Sequence, residues 1–177
     1  MKKFICLLIF FISFNISSQD TYLQCGKIID TERGKVLNKK TIIVSSDKIV
    51  AIKNGYVSSD NPLDKVIDLK SKTVMPGLID MHVHIESEFN PQKYMNAFTA
   101  NDADIAFGSL KFAEITLMAG FTTVRDLGGT GINISLRDAI AKGEVVGPRI
   151  FTAGKAIGTT GGHADPTNGW KNSLRGD

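Results

Sequence analysis

The sequence predicts an α/β chain in two parts: a strand-rich segment over residues 21–76, then parallel βα units from Gly77 onward. Three observations predict it. Short apolar and β-branched runs separated by turn residues fill the first part. After Pro76 the pattern changes to strand, helix, strand, helix, strand, the alternation that builds a parallel sheet. The first of those strands carries two histidines near its carboxyl end, where parallel α/β architectures place their chemistry.

Residues 21 to 76 read as strands over Leu23 to Ile29, Val36 to Val44, Ile49 to Ile52, Val66 to Leu69 and Thr73 to Met75. Turns fall at Thr31 to Lys35 and Ser45 to Lys48, and a loop spans Asn54 to Asp64 with its turn-forming pairs Asn54-Gly55 and Asn61-Pro62. This spacing predicts a small antiparallel sheet or sandwich. No chemistry is legible in it.

Beyond Pro76, MPGLIDMHVHI (Met75 to Ile85) is the first strand. Glu86 to Pro91 reads as a loop. Asp102 to Ala119 has helical spacing, with Ala106, Leu110, Ala113 and Leu117 on one stripe, Asn101 or Asp102 as cap and Gly120 as stop. Phe121 to Asp126 is the second strand. The loop Gly128 to Gly131 leads to a helix capped by Ser135 and closed by Gly143, and Arg149 to Ala153 is the third strand.

The N-terminus stands apart. Lys2-Lys3, the almost wholly apolar run Phe4 to Phe14 and small polar residues up to Ser18 have the layout of a secretory signal peptide. The expected division is therefore 1–18 signal peptide, 19–76 sandwich segment and 77–177 βα units, in an exported protein. An uncleaved anchor fits less well, because a spanning helix needs about 20 apolar residues. Without residues 1–18 the chain has 19 basic against 18 acidic residues, a net charge of +1. That balance gives no footprint for nucleic acid. Cys6 leaves with the signal and Cys25 stands alone, so no internal disulfide is expected.

In an extended strand Leu78, Asp80, His82 and His84 share one side, and Ile79, Met81 and Val83 share the other. The apolar side suits a covering helix. The other gathers two imidazoles, and a spacing of two lets both reach one divalent ion, zinc first among the candidates. His82 and His84 are thus the expected metal ligands.

Three blocks carry a resemblance: PGLIDMHVH (Pro76 to His84), AGFTTVRDLGG (Ala119 to Gly129) and GPRIFTAGKAIGTTGGHADPTNGW (Gly147 to Trp170). The first resembles the opening barrel strand of the amidohydrolase superfamily. Together the other two resemble its imidazolonepropionase-related branch, which includes prolidase-type dipeptidases. The resemblance implies a distorted TIM-like (β/α)8 barrel joined to a β-sandwich, and a centre of one or two metal ions. It also implies hydrolysis of a C–N bond in a small peptide-like or cyclic amide substrate by a metal-activated hydroxide. A barrel takes about 250 residues, and the stretch from Gly77 holds only three βα units. The barrel is therefore expected to be incomplete and the chain to be the first part of a longer enzyme. A bridging lysine, further histidines and an aspartate belong to later strands of such relatives, so only His82 and His84 carry over. No catalytic residue is expected in this chain, which alone should be inactive.

His163, in the Gly161-Gly162-His163 loop after the third strand, is a candidate substrate contact, weighed against a loop histidine bonded to its own turn. Asp165 is expected to cap the turn at Pro166. The Gly128 to Gly131 run lacks the features of a phosphate-binding loop and reads as a βα loop. Asp126 could hold a metal-binding imidazole in place, though a structural pair or cap fits better. The rival readings are a non-catalytic truncated product and a secreted or membrane-tethered binding module. Substrate identity, the metal and oligomeric state are not legible.

Overall fold

A computed structural model describes residues 19–165 and 167–171; the expected signal peptide, residues 1–18, lies outside the described residues. The chain divides into two compact units between Pro76 and Gly77. Among the described residues no helix is long and apolar enough to cross a membrane.

The first unit is a four-stranded sheet of β1 (Asp20–Asp30), β2 (Lys35–Ser45), β3 (Lys48–Asn54) and β4 (Lys65–Val74), in the order β3-β2-β1-β4. Strands β1, β2 and β3 form antiparallel pairs through short turns, as their spacing predicts. Strand β4 corrects that expectation twice. It runs parallel to β1, and it is one strand where two were expected. Its register jumps from Cys25↔Leu69 to Lys27↔Thr73, so residues 70–72 bulge out between two apolar runs that look like separate strands in the sequence. The parallel pairing needs a crossover, and residues 55–64 supply it. Two buried polar side chains hold the crossover down. Thr41 Oγ1 donates to the Gly55 carbonyl (2.8 Å) and accepts from Val57 N–H (3.0 Å), and Gln24 Nε2 donates to the Val57 carbonyl (3.1 Å). The core gathers Cys25, Ile28 and Ile42, with Leu23, Leu37, Val44, Leu69 and Val74 packed around them. Burial pushes the Cys25 thiol above its ordinary pKa, partly offset by a backbone hydrogen bond at Ile42.

The second unit is a parallel sheet of β5 (Leu78–Val83), β6 (Phe121–Asp126) and β7 (Arg149–Thr152), in the order β5-β6-β7, as the alternation predicts. Helix α2 (Asp102–Met118) connects β5 to β6, and α3 (Ile132–Ala141) connects β6 to β7. A short helix, α1 (Lys93–Thr99), precedes α2 and has no counterpart in the sequence reading, because seven residues carry too little periodicity to see. Helix α2 begins with a capping box between Asn101 and Asp104. Its buried stripe runs through Ser109 and Ala113, while Leu110, expected on the stripe, stays exposed.

Helix α3 starts at Ile132, three residues before the expected cap Ser135, with Gly131 at the N-cap position. The reason is an acceptor from elsewhere in the chain, described below. Behind the sheet, Val124, Ile150, Ile85, Ala113 and Leu136 form the core, with Val83 packed against it. The helix cover expected over the apolar side of β5 reaches Val83, but Ile79 and Met81 remain 62% and 54% exposed.

Candidate metal centre

His82 and His84 stand at the carboxyl end of β5, where the sequence places them, His84 one residue beyond the last ladder position. Their rings meet edge to face with centroids 5.6 Å apart and planes at 74°. Two imidazoles on one tetrahedral zinc, with Zn–N of about 2.0–2.1 Å, have centroids about 5 Å apart, so the pair is near that spacing. His84 Nδ1 lies 2.7 Å from the Gly128 carbonyl oxygen. A carbonyl only accepts, so Nδ1 carries the proton and Nε2 presents its lone pair to an ion. Metal-binding histidines are commonly held in this way. Among the described residues no set of three or more His, Cys, Asp or Glu side chains is gathered to hold an ion. The pair thus fits two positions of a metal's coordination shell and leaves the others to be filled.

Asp80 does not join the histidines. The register runs from Asp80↔Val124 to Val83↔Asp126, three steps on β5 against two on β6. This bulge breaks the strict alternation that would put Asp80 in phase with His82, and it stands Asp80 level with Val124, which is wholly buried against the helices. Ladder bonding is disrupted at a bulge, and two side chains bond to the backbone there. Asp80 Oδ1 accepts from His82 N–H (2.9 Å), and Arg125 Nε donates to the Met81 carbonyl (2.8 Å). Both residues therefore shape the strand that aims His82.

Two buried carboxylates organise the loops next to the histidines. Asp126, fully buried, accepts from Ile85 N–H through Oδ2 (3.0 Å) and from Gly128 N–H through Oδ1 (2.8 Å). Asn133 Nδ2 donates to the same Oδ1 (3.3 Å) and to the Gly154 carbonyl (2.9 Å). Glu86, 8% exposed, accepts from Thr130 N–H (2.6 Å) through one oxygen and from Asn133 N–H (2.7 Å) through the other. It is the N-terminal cap of α3, supplied from the loop after β5, which explains why the helix begins without a capping side chain of its own. With that carboxylate in place the Gly128 to Gly131 loop is not a phosphate cradle. Gly129 must be glycine for the same reason: a Cβ there would lie 2.4 Å from the Glu86 carboxyl carbon. At Gly128 a Cβ would lie 2.6 Å from the Ala156 backbone, and φ is +150°.

Sequence reasoning treated Glu86 only as part of a loop. The available signal was Gly131, a residue with no side-chain acceptor, at the N-cap position itself, which calls for an acceptor from elsewhere.

His163 lies exposed on the loop that leaves the carboxyl end of β7. Asp165 caps its turn as expected, accepting from Gly161 N–H (2.7 Å) and Thr167 N–H (2.8 Å). Further along, Trp170 stacks on Phe98 of α1, with centroids 5.9 Å apart. A cleft of about 570 Å³ opens between the Glu86–Asn90 loop and α2, lined by Glu86, Glu88, Asn96, Asp104 and Phe112; His82 and His84 do not line it.

The sequence model of the Amidohydrolase family matches residues 73–175. This chain belongs to the amidohydrolase family. A crystal structure of a Xaa-Pro dipeptidase with methionine bound in its active site is 43% identical with a TM-score of 0.79, and the match covers 88% of this chain and 38% of that one. A prolidase complexed with N-methylphosphonate-L-proline is 41% identical with a TM-score of 0.70, covering 82% of this chain and 34% of that one. The 5-methylthioadenosine/S-adenosylhomocysteine deaminase of Bacillus cereus is 38% identical over 65 residues, 37% of this chain and 15% of the deaminase. The chain thus spans 38% or less of the length of these relatives. Its three parallel strands correspond to part of an amidohydrolase TIM barrel, preceded by a strand-rich segment, which is the fold class the sequence predicts.

Proposed function

We propose that this chain is the N-terminal part of an exported amidohydrolase that hydrolyses a C–N bond in a small peptide-like substrate, with His82 and His84 as two of its metal ligands. The observation that carries the site is the 2.7 Å contact between His84 Nδ1 and the Gly128 carbonyl, which leaves the lone pair on Nε2, with the His82 ring centroid 5.6 Å from that of His84. A divalent ion, zinc first among the candidates, would polarise the scissile carbonyl and activate water when bound. The chain's own share is to hold two imidazoles at fixed spacing at the mouth of a parallel sheet. Peptide-like substrates are favoured over cyclic amides and nucleoside-like compounds because the dipeptidase and prolidase matches cover most of this chain, whereas the deaminase match covers 37% of it. His163, on the loop after β7, is a candidate contact for the substrate.

Two imidazoles alone leave an ion short of the three protein ligands of a catalytic site, and among the described residues no three His, Cys, Asp or Glu side chains are gathered to hold one. The 177-residue chain by itself should therefore not turn over substrate. Residues 1–18 would direct export and be removed, which N-terminal sequencing of the exported protein tests.

The deciding experiment replaces His82 and His84 together by Asn in the longest natural polypeptide containing this sequence. Metal content by elemental analysis should fall, and hydrolysis of Xaa-Pro dipeptides should be lost. Unchanged turnover of those dipeptides in the double variant would refute the assignment.

A further inference from the structure

The geometry points to Asp126 as the positioning residue for His84, acting through the Gly128 carbonyl to set which ring nitrogen is offered to a metal. The inference rests on the metal reading of His84 and goes beyond it. The bonds form a closed circuit. The His84 ring bonds the Gly128 carbonyl (2.7 Å), Gly128 N–H bonds Asp126 Oδ1 (2.8 Å), and Asp126 Oδ2 takes the N–H of Ile85, the residue next to His84 (3.0 Å). One fully buried carboxylate thus grips both ends of the ring's hydrogen bond. Asn133, also fully buried, steadies it by donating to Oδ1 and to the Gly154 carbonyl.

Carboxylate acceptors impose a direction that a neutral amide cannot. Both Asp126 oxygens only accept, so the Ile85 and Gly128 amides must point at it; the peptide that carries the Gly128 carbonyl is itself fixed by Gly129 N–H donating to the Gly154 carbonyl (2.8 Å), so Asp126 sets where the His84 backbone stands relative to that carbonyl. In Asp126→Asn the amide oxygen stays with the two donors at the Oδ1 position, Gly128 N–H and Asn133 Nδ2, and the NH₂ faces the N–H of Ile85. That end must let go, the backbone beside His84 moves off the Gly128 carbonyl, and His84 Nδ1 loses its fixed acceptor.

The test reads the tautomer of the three histidines in metal-free protein by nitrogen NMR after selective histidine labelling, at alkaline pH where the rings are neutral. Wild-type His84 should be the Nδ1–H tautomer. In Asp126→Asn it should shift toward Nε2–H, and zinc affinity should fall by about 10–100-fold. Leu136→Ala, which loosens the same core without touching the circuit, should leave the tautomer unchanged. Three results would overturn the proposal: a wild-type His84 in the Nε2–H form, a folded Asp126→Asn that keeps the Nδ1–H form, or a shift of the same size in Leu136→Ala. If Asp126→Asn does not fold, Asn133→Ser decides. It withdraws one donor from Asp126 Oδ1 and keeps the backbone bond to Glu86, so the Nε2–H fraction must rise above wild type, and no rise overturns the inference. A tautomer that shifts in a protein that binds no zinc would instead refute the metal reading and leave the positioning role standing.

Discussion

Removing the Glu86 carboxylate tests whether α3 is held from outside its own sequence. In Glu86→Ala the amides of Thr130 and Asn133 lose acceptors at 2.6 and 2.7 Å in a site where the parent residue is 8% exposed. The Asn133 amide becomes a stranded buried donor, at about 1–3 kcal/mol, and loss of a negative charge at a helix N-terminus adds about 0.3–1 kcal/mol. Thr130 is exposed, so its amide turns to water, and a net loss of about 2–3 kcal/mol is expected. Glu86→Gln keeps one acceptor and sets a donor against the other amide, which should cost about 1–2 kcal/mol. Urea denaturation followed by the far-UV helix signal is the assay, since α1, α2 and α3 all lie in the second unit. A Glu86→Ala protein within about 0.5 kcal/mol of wild type would show that α3 does not depend on this carboxylate.

Two further predictions concern the first unit. Cys25 is completely buried with a raised thiol pKa, so it holds less thiolate than a free cysteine at any given pH; it should resist thiol reagents in the folded protein and react fully once urea unfolds the sheet. Asp64 is held below the ordinary carboxylate range, first by the Ser59 hydroxyl and then by the Asp20 amide. The unfolded state therefore takes up the proton more readily, and this contribution is present above the unfolded pKa of about 3.9 and lost as pH falls through the folded value. Acid titration of stability should accordingly be shallower in Asp64→Asn than in wild type, and parallel curves would refute the role.

How much of this could be read in advance depended on the range of the interaction. The short apolar runs read as eight strands and the cap expected at Asn101 or Asp102 are local signals; two of the runs merge into β4, and the cap appears at Asn101. What escaped was non-local. The parallel pairing of β4 with β1 depends on a crossover pinned by Thr41 and Gln24, residues that look unremarkable in a strand. Asp80 seemed in phase with His82 because the sequence cannot show a bulge, and the strict period of two fails where one residue is inserted. Glu86 looked like loop because its partners, Thr130 and Asn133, lie more than 40 residues away. The histidine pair was legible because both members lie on one short segment, whereas the hydrogen bonds that orient His84 come from a separate strand and its loop.

The position of β5 in its sheet has a consequence for assembly. It is an outer strand, paired only with β6 among the described residues, and it carries both imidazoles. A strand recruited to its open side would complete a ladder and deliver its own side chains next to His82 and His84 in the same act. Closure of the sheet and growth of a coordination shell would then be thermodynamically linked, so that cation affinity becomes a gauge of how far the barrel has closed.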